Sequence, residues 1–160
     1  MSMGKADEKF MLAAIKKTRD GIKKGQTPFG ACIVKKGRIL SCTYNTVWKD
    51  NDITAHAEVN AIRQACKKLK TVDLTGCSIY STCEPCPMCF SAIQWARIPK
   101  IYYGASIADA KKAGFNELNI SNEKMKKLGK GKVKITKGLL KEECIALFEA
   151  WSKRKDKKTY

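Results

Sequence analysis

Segments typical of strands alternate with segments typical of helices along almost the whole chain, and this alternation limits the possible folds more than any other feature. Apolar residues at helical spacing predict helices, whereas short apolar or alternating runs predict strands. The predicted helices cover residues 6–24, 56–69, 86–96, 121–128 and 139–154. The predicted strands cover residues 28–34, 38–45, 77–82, 100–106 and 132–136. Strands followed by helices favour a mostly parallel sheet covered on both faces, and Lys36-Gly37 predicts one antiparallel hairpin within it.

The length of the chain limits the number of domains. At 160 residues there is room for one domain, residues 1–160. The expected fold is an α/β three-layer sandwich, in which a five-stranded mixed sheet has helices on both faces. No run approaches the roughly 18 consecutive apolar residues of a membrane helix, and the start MSMGKADEKF lacks the apolar segment of a signal peptide. We therefore expect a cytoplasmic protein that has no membrane partner.

The charge of the chain is strongly positive. Lysine and arginine number 32 against 15 aspartate and glutamate residues, which gives a formal net charge of +17. Such a charge can attract nucleic acid. The excess is nearly all lysine, however, and it is spread along the chain, whereas arginine is the better reader of phosphates and base edges. A solvated lysine-rich surface is the favoured interpretation, and an RNA-binding face is the alternative.

The cysteines fall into two groups. A chain with eight cysteines and no secretion signal predicts reduced thiols or metal ligands rather than a disulfide framework. Five cysteines stand singly in apolar surroundings and are expected to pack as small buried side chains: Cys32, Cys42, Cys66, Cys77 and Cys144. The other three form one cluster, C-E-P-C-P-M-C: Cys83, Cys86 and Cys89.

This cluster and the single histidine of the chain predict a metal site. Zinc prefers thiolate and imidazole ligands, and two cysteines separated by two residues can reach one ion from the start of a helix. His56, Cys86 and Cys89 are therefore the predicted ligands of one Zn²⁺ per chain, with the fourth position open as in catalytic zinc sites. The alternative is a structural site in which Cys83 is the fourth ligand, but it would strain the tetrahedron and leave Glu58 without a role.

Glu58 indicates that the predicted metal site is catalytic. It follows His56 by two residues at the start of the same predicted helix, from where it can lean over the open metal position. There it can take a proton from water, whose pKa zinc lowers to about 7, and deliver it to a ring nitrogen and then to a leaving amine. H-x-E followed by P-C-x-x-C is the signature of zinc nucleobase deaminases.

Residues 6–160 resemble the cytidine-deaminase-like superfamily, and within it they are most similar to the small bacterial guanine deaminases. The resemblance rests on TPFGACIV (27–34), NDITAHAEVNAIRQAC (51–66), STCEPCPMCFSAIQWARI (81–98), DAKKAGFNE (109–117) and the ending FEAW…KKTY. The tRNA adenosine deaminases share the zinc residues and much of the helix pattern. They favour valine in place of Phe29, however, and lack an aromatic residue at the C-terminus.

The resemblance implies how a base would be bound. Asn45 would hydrogen-bond the edge of the base, and the backbone N–H of Ala57 would help to hold it. Phe29 and Trp95 would flank the ring. For both aromatic residues, plain packing in the core is the alternative.

The resemblance also implies the substrate. Glu117 corresponds to an acidic residue, often aspartate, that recognises the purine and relays protons, and Asn116 can share this role. The implied reaction is the hydrolytic deamination of guanine, a small nucleobase, to xanthine and ammonia. The alternatives are a tRNA-specific adenosine deaminase, a cytosine or triazine deaminase, and a zinc module without catalysis, against which the intact Glu58 argues.

The C-terminal segment, about residues 139–160, permits two interpretations. Its helix carries an apolar stripe that must pack on something: Leu140, Cys144, Leu147, Phe148 and Trp151. The basic residues that follow are typical of a frayed tail. The resemblance implies instead that the segment crosses to the partner in a homodimer, where Tyr160 closes the neighbouring site. Exchange of one helix between identical chains is a low-cost route to a dimer.

Overall fold

The computed structural model of the protein describes residues 4–116 and 118–160. Within these residues, seven helices surround a sheet of five strands. The helices are α1 (Lys5–Lys23), α2 (Val47–Asp50), α3 (Ala57–Leu69), α4 (Pro87–Trp95), α5 (Ile107–Lys112), α6 (Asn122–Leu128) and α7 (Lys141–Ser152). The strands are β1 (Gly30–Lys35), β2 (Arg38–Tyr44), β3 (Cys77–Cys83), β4 (Lys100–Ala105) and β5 (Lys134–Lys137). None of these helices is both long and apolar enough to span a membrane.

The sheet has the strand order β2-β1-β3-β4-β5. β1 runs antiparallel to both of its neighbours, whereas β3, β4 and β5 run parallel to one another. β1 is therefore the reversed strand in a sheet whose other described strands all point the same way. The five-stranded mixed sheet and the hairpin are confirmed. The sequence did not predict the second antiparallel pairing, because the order of strands along a chain does not show which of them become neighbours.

Helices cover both faces of this sheet. α1 packs on β1, β2 and β3, with α7 beside it, while α3 packs on β1 and β2, with α4 beside it. Successive side chains of a strand point to opposite faces, and β2 shows the consequence. Thr43 Oγ1 donates to the carbonyl of Ala57 in α3 over 2.7 Å, whereas the Tyr44 ring packs against Gly21 of α1. The expected three-layer arrangement is confirmed.

The apolar stripe of the last helix packs as expected. Cys144, Leu147, Phe148 and Trp151 are buried. α7 approaches β4 closely, since a side chain at Gly104 would collide with Cys144. The stripe therefore covers the parallel half of the sheet.

Two short helices are absent from the prediction. α2 has only four residues, too few to show a helical period. α5 begins with a capping box, in which Asp109 N donates to Ser106 Oγ and Ser106 N donates to the Asp109 carboxylate. The pattern S-x-x-D at 106–109 is therefore a signal in the sequence that could have located α5.

The expectation that the scattered cysteines are all thiols is wrong for two of them. Cys32 and Cys42 form a disulfide between β1 and β2, with 4.1 Å between their Cα atoms. They are register partners in the antiparallel pair, where directly opposed residues come this close. The local surroundings of each cysteine do not indicate this bond, because only the register of the hairpin sets the two residues opposite each other. Cys66, Cys77 and Cys144 are free thiols.

Candidate active site

The starts of α3 and α4 meet at one edge of the sheet. β2 and β3 lie on either side of the reversed strand β1 and point the same way, so their carboxyl ends share an edge. From the end of β2 the chain passes through α2 to α3, and from the end of β3 it runs into α4. His56 is the N-cap residue of α3 and Cys86 is the N-cap residue of α4. The fold therefore brings together two residues that stand thirty positions apart.

The predicted ligand atoms form one compact group. His56 Nδ1 lies 3.6 Å from Cys86 Sγ and 3.6 Å from Cys89 Sγ, and all three atoms lie within 4.8 Å of one another. With zinc bonds of 2.0–2.3 Å in a tetrahedron, neighbouring nitrogen and sulfur ligands are about 3.6 Å apart. The three side chains thus fit one zinc ion with a fourth position open.

Cys83 does not join this group. Its Sγ lies 3.6 Å from the carbonyl oxygen of Ser106, on the side of α5. Among the described residues, no further cysteine or acidic side chain lies close enough to be a fourth ligand. The geometry therefore favours the three-ligand interpretation over a closed structural site.

The surroundings of Cys86 favour its thiolate form. A hydrogen bond with the Cys89 side chain, followed by one with His56, lowers the pKa of the Cys86 thiol to about 4, whereas the same bond between the two cysteines, together with burial, raises the pKa of the Cys89 thiol. The start of a helix also carries partial positive charge. Because a zinc ligand must be the thiolate, this position suits metal binding.

Glu58 lies beside the ligand group and is buried. Its side chain is 5% exposed, and its Oε2 lies 3.4 Å from Cys89 Sγ. Burial, with a contribution from Cys86, raises the pKa of the Glu58 carboxyl. Ser81 Oγ lies 2.8 Å from Glu58 Oε1 and 2.6 Å from the carbonyl oxygen of Cys83. The carboxylate is thus held in one place next to the metal ligands.

A cavity of about 310 Å³ opens beside the ligand group. Metal ligands, the start of α4, the loop between α5 and α6 and the last residue all contribute to its lining. Its lining residues are Ile53, His56, Cys86, Pro87, Met88, Phe115, Asn116, Leu118 and Tyr160. A larger cleft of about 370 Å³ beside β2 contains none of the three metal ligands. The smaller cavity is therefore the candidate substrate site.

Asn45 follows β2 and is fully buried. Its Oδ1 accepts a hydrogen bond from Val47 N over 3.1 Å, and its Nδ2 donates to the Tyr160 hydroxyl over 2.7 Å. The first bond fixes the orientation of the amide. Asn45 thus presents a donor, not an acceptor, to whatever group lies against it.

The C-terminal tail reaches the site of its own chain in this structure. The Tyr160 ring lies 5.5 Å from the His56 ring and 6.1 Å from the Phe115 ring. Trp48 Nε1 donates to the carbonyl of Lys158 over 3.3 Å. The tail is therefore placed by specific contacts, and the frayed-tail interpretation does not describe it.

The remaining predicted residues differ in how close they lie to the metal ligands and the cavity. Ala57 is the first residue of α3 and is buried, next to the metal ligands. Phe29 is buried and packs edge-on against Phe115, with 4.8 Å between the ring centroids, so it supports the cavity wall from behind. Trp95, at the end of α4, is 87% exposed and does not line the cavity. Glu117 lies outside the described residues.

The sequence did not predict several residues of the site. Ser81 contacts Glu58 but does not line the cavity, and a hydroxyl inside a strand close to the catalytic motif was its only signal. Three cavity residues stand within quoted stretches without an assigned role: Ile53 in NDITAHAEVNAIRQAC, Met88 in STCEPCPMCFSAIQWARI and Phe115 in DAKKAGFNE. Leu118 carried no signal, because exposed apolar residues are common on protein surfaces.

Comparisons with known proteins extend these observations. Residues 4–105 match the family described as the cytidine and deoxycytidylate deaminase zinc-binding region. The chain is 42% identical to a guanine deaminase from Bacillus subtilis over 154 residues, which are 96% of this chain and 98% of that one. It is 45% identical to a tRNA-specific adenosine deaminase from Aquifex aeolicus over 103 residues, which are 64% of this chain and 67% of that one. The structure of a guanine deaminase from Nitrosomonas europaea superposes with a TM-score of 0.83 at 28% identity, covering 91% of this chain and 84% of that chain. The resemblance inferred from the sequence is confirmed.

Proposed function

Because the chain belongs to the zinc-binding family of cytidine and deoxycytidylate deaminases, we propose that it hydrolyses guanine to xanthine and ammonia. The observation that carries this proposal is the 42% identity to a guanine deaminase over nearly the full length of both chains. The reaction needs a metal ligand set with one open position, a proton carrier and a pocket for a base. His56, Cys86, Cys89 and Glu58, beside the cavity, supply all three.

His56, Cys86 and Cys89 would hold the zinc ion. When bound, zinc supplies Lewis acidity, which lowers the pKa of water to about 7 and stabilises negative charge on oxygen. The chain would contribute two thiolates and one imidazole, and two of these ligands, His56 and Cys86, line the cavity.

Glu58 carries the proton between reactant and product. It takes a proton from the attacking water, delivers it to N3 of guanine, and then protonates the amino group that leaves from C2 as ammonia. The water oxygen bonds to C2 as the C2=N3 double bond opens and N3 accepts the first proton. Glu58 then moves the second proton from the new hydroxyl to the amino group, and the C2–N bond breaks as the C2=O carbonyl of xanthine forms. Ser81 supports both forms of Glu58, because a hydroxyl can donate to a carboxylate or accept from a carboxylic acid.

Asn45 and Ala57 would orient the base. Asn45 presents its amide N–H₂, so the atom that it binds must be an acceptor, and guanine offers O6 and N7. The N–H of Ala57 belongs to the first turn of α3, where N–H groups have no partner within the helix. Both groups are donors and suit the same edge of a purine.

Glu117 and Asn116 would recognise the donor groups of the base. The N1–H and amino group of guanine require an acceptor, and a carboxylate is the strongest one available in proteins. Asn116 lines the cavity, and Glu117 is the next residue along the chain. Phe115 would contribute an apolar face to the bound ring, with Phe29 behind it.

Tyr160 would close the site over the substrate. Its ring lies beside His56, and its hydroxyl accepts the hydrogen bond from the Asn45 amide that we assign to the base. A purine would displace the hydroxyl and stack on the ring. In the proposed assembly, a cytoplasmic homodimer, residues 139–160 are exchanged, and each tyrosine serves the partner subunit.

A second candidate is tRNA-specific adenosine deamination. It is supported by the net charge of +17 and by the similarity to the Aquifex aeolicus protein. Phe29 and the position of Tyr160, whose ring fills part of the cavity that an anticodon base would enter, favour the free base instead. Cytosine and triazines are further substrates that the same metal chemistry would accept.

A substrate panel tests the proposal. Zinc-loaded protein is assayed for ammonia release from guanine, guanosine, cytosine, adenine and ammeline, and for inosine formation in tRNA. We expect kcat/KM for guanine to exceed that of each other substrate by about 10² or more, because mismatched donors and acceptors leave buried polar groups unpaired. Preference for tRNA would overturn the proposed substrate, and release of ammonia from none of them would overturn the enzyme class.

A further inference from the structure

A buried carboxylate next to the metal-binding loop takes no part in the steps above. Glu84 stands between β3 and Cys86 and is 6% exposed. Its Oε1 accepts a hydrogen bond from Asn122 N over 2.9 Å, and its Oε2 accepts one from Ile107 N over 3.2 Å. Among the described residues, no lysine or arginine forms an ion pair with it. Its charge is therefore stabilised by these backbone N–H groups and by the nearby Tyr103 side chain, whose pKa is raised by burial and by Glu84.

The residues that donate these two hydrogen bonds stand on either side of a segment that lines the cavity. Ile107 is the first residue of α5 and Asn122 is the first residue of α6, and the backbone N–H of each donates to Glu84. Between these helices runs the segment 113–121, which contributes Phe115, Asn116 and Leu118 to the cavity. One carboxylate thus ties both ends of this wall to the loop that carries the metal ligands.

A second set of bonds strengthens the same connection. Asn122 is fully buried, and its Nδ2 donates to the carbonyl of Pro85 over 2.6 Å. Glu84 N donates to the carbonyl of Ala105 over 2.8 Å. α5 and α6 have six and seven residues, lengths at which a helix is not stable by itself. The position of the wall therefore depends on these bonds to residues 84 and 85.

We propose that Glu84 is a positioning residue, which fixes the described residues of the cavity wall, 113–116 and 118–121, relative to the metal centre and thereby sets the affinity for the base. This inference rests on the proposed function for its substrate. Hydrogen bonds between a carboxylate and backbone N–H groups are short and strong, and a buried carboxylate without a cation depends on them. The hydrogen bonds of the Glu84 carboxylate go to Ile107 N and Asn122 N and not to the metal ligands, so the chemical step is left to Glu58.

The test replaces Glu84 by glutamine in the zinc-loaded full chain. Glu84→Gln keeps the shape of the side chain, but its amide nitrogen faces one of the two N–H donors and cannot accept from it. We expect unchanged zinc content, kcat within about twofold, and KM for guanine raised by about tenfold, as loss of one buried hydrogen bond implies. Amide hydrogen exchange of the free protein should become faster in 113–121 and stay unchanged in α7.

Asp109→Asn is the matched control. Asp109 is also a carboxylate that accepts a backbone hydrogen bond in this part of the chain, from Ser106 N over 2.8 Å. It caps its own helix and forms an ion pair with Lys141 of α7, and neither contact involves Glu84 or Pro85, so its replacement should lower the melting temperature without changing KM. Asn122→Ala removes the bond to Pro85 and leaves the Glu84 carboxylate in place. It should raise KM in the same direction, and it decides the question if Glu84→Gln does not fold.

The outcomes separate this inference from the proposed function. Wild-type KM and wild-type exchange in 113–121 for Glu84→Gln would overturn the positioning role. A lower melting temperature with faster exchange in every element and unchanged KM would show a merely structural residue, and would overturn it too. If the wild-type protein releases no ammonia from guanine, the proposed function fails, while the exchange comparison still tests Glu84.

Discussion

The metal half and the cavity half of the candidate site are built in different ways. Cys89 and Glu58 stand in the first turns of two helices that pack on the sheet, and they are 0% and 5% exposed. Leu118 and Tyr160 come from a loop and from the end of the chain, and they are 69% and 36% exposed. Residues fixed by the core hold one geometry, whereas loops tolerate change. The buried half therefore suits a constant reaction, and the exposed half suits a substrate that varies.

The relatives of the chain agree with this division. A guanine deaminase and a tRNA-specific adenosine deaminase are both more than 40% identical to it, and the family match at residues 4–105 contains all three metal ligands and Glu58. Two segments that we assign to base recognition, 113–121 and 156–160, lie beyond that match, whereas Asn45 and Ala57 lie within it. Variants of the metal half should therefore lose turnover of every substrate, whereas variants of the cavity half should change which substrate is used.

The largest effect is expected in the metal half. Glu58→Ala should keep zinc and lose turnover by about 10²–10⁴ or more, because the proton carrier is removed while the ligand set is intact. Steady-state kinetics and the zinc content of the purified protein measure this. As the contrasting variant, His56→Ala should lose zinc and thermal stability together, since metal binding is coupled to folding. Near-normal activity of Glu58→Ala would contradict the mechanism, and loss of its zinc would make Glu58 a ligand.

A smaller and more selective effect is expected at Glu117. Glu117→Gln should lower kcat/KM for guanine by about 10- to 100-fold, because the N1–H and amino group of the base lose a charged acceptor. Zinc content and the residual activity on cytosine or adenine should be unchanged. Asn116→Ala, one position earlier, shows whether the neighbouring amide shares the role. An equal loss for every substrate would mean that Glu117 maintains the fold instead of recognising the purine.

The same division explains what the sequence could predict. The metal half follows from strict ligand chemistry at short spacing, so His56, Cys86 and Cys89 could be identified without a structure. Helix period and strand length likewise predicted the main elements of the sheet and its covering layers. Local patterns carry this information because the interactions that cause them are local or belong to one element.

Long-range contacts account for what was not predicted. The pairing of β1 with β3, the disulfide between Cys32 and Cys42 and the contact of Ser81 with Glu58 each join separate elements. Trp95 stands in a motif that resembles the family, yet the end of α4 turns it outward. Spacing along one chain does not contain the register or rotation that decides these contacts.

The smallest effect is expected at the C-terminus. Deletion of residues 156–160 should lower kcat/KM for guanine by about fivefold to tenfold, because the base loses one stacking partner, and it should leave zinc content unchanged. Tyr160→Phe keeps the ring and removes the hydroxyl that contacts Asn45, so its effect should be smaller still. Lys157→Ala is the control in the same tail, since its Nζ contacts only the nearby Arg154 carbonyl, and it should behave as the wild type. Full activity of the truncated protein would show that the tail has no role in turnover.

A mixed dimer then decides which subunit the tail serves. One subunit carries Glu58→Ala and an intact tail, and the other has an intact Glu58 but lacks residues 156–160. The two are co-expressed with different affinity tags and purified by both. If the tails are exchanged, the one competent metal site receives the tyrosine of the inactive subunit, and the mixed dimer should have about half of wild-type activity, since one of its two sites works fully. If each tail stays on its own chain, as in the contact between Tyr160 and Asn45 of one chain, the competent site lacks a tyrosine. The mixed dimer should then have only half the activity of the truncated protein. A monomer in light scattering would exclude exchange altogether and leave the tail as a closing element of its own site.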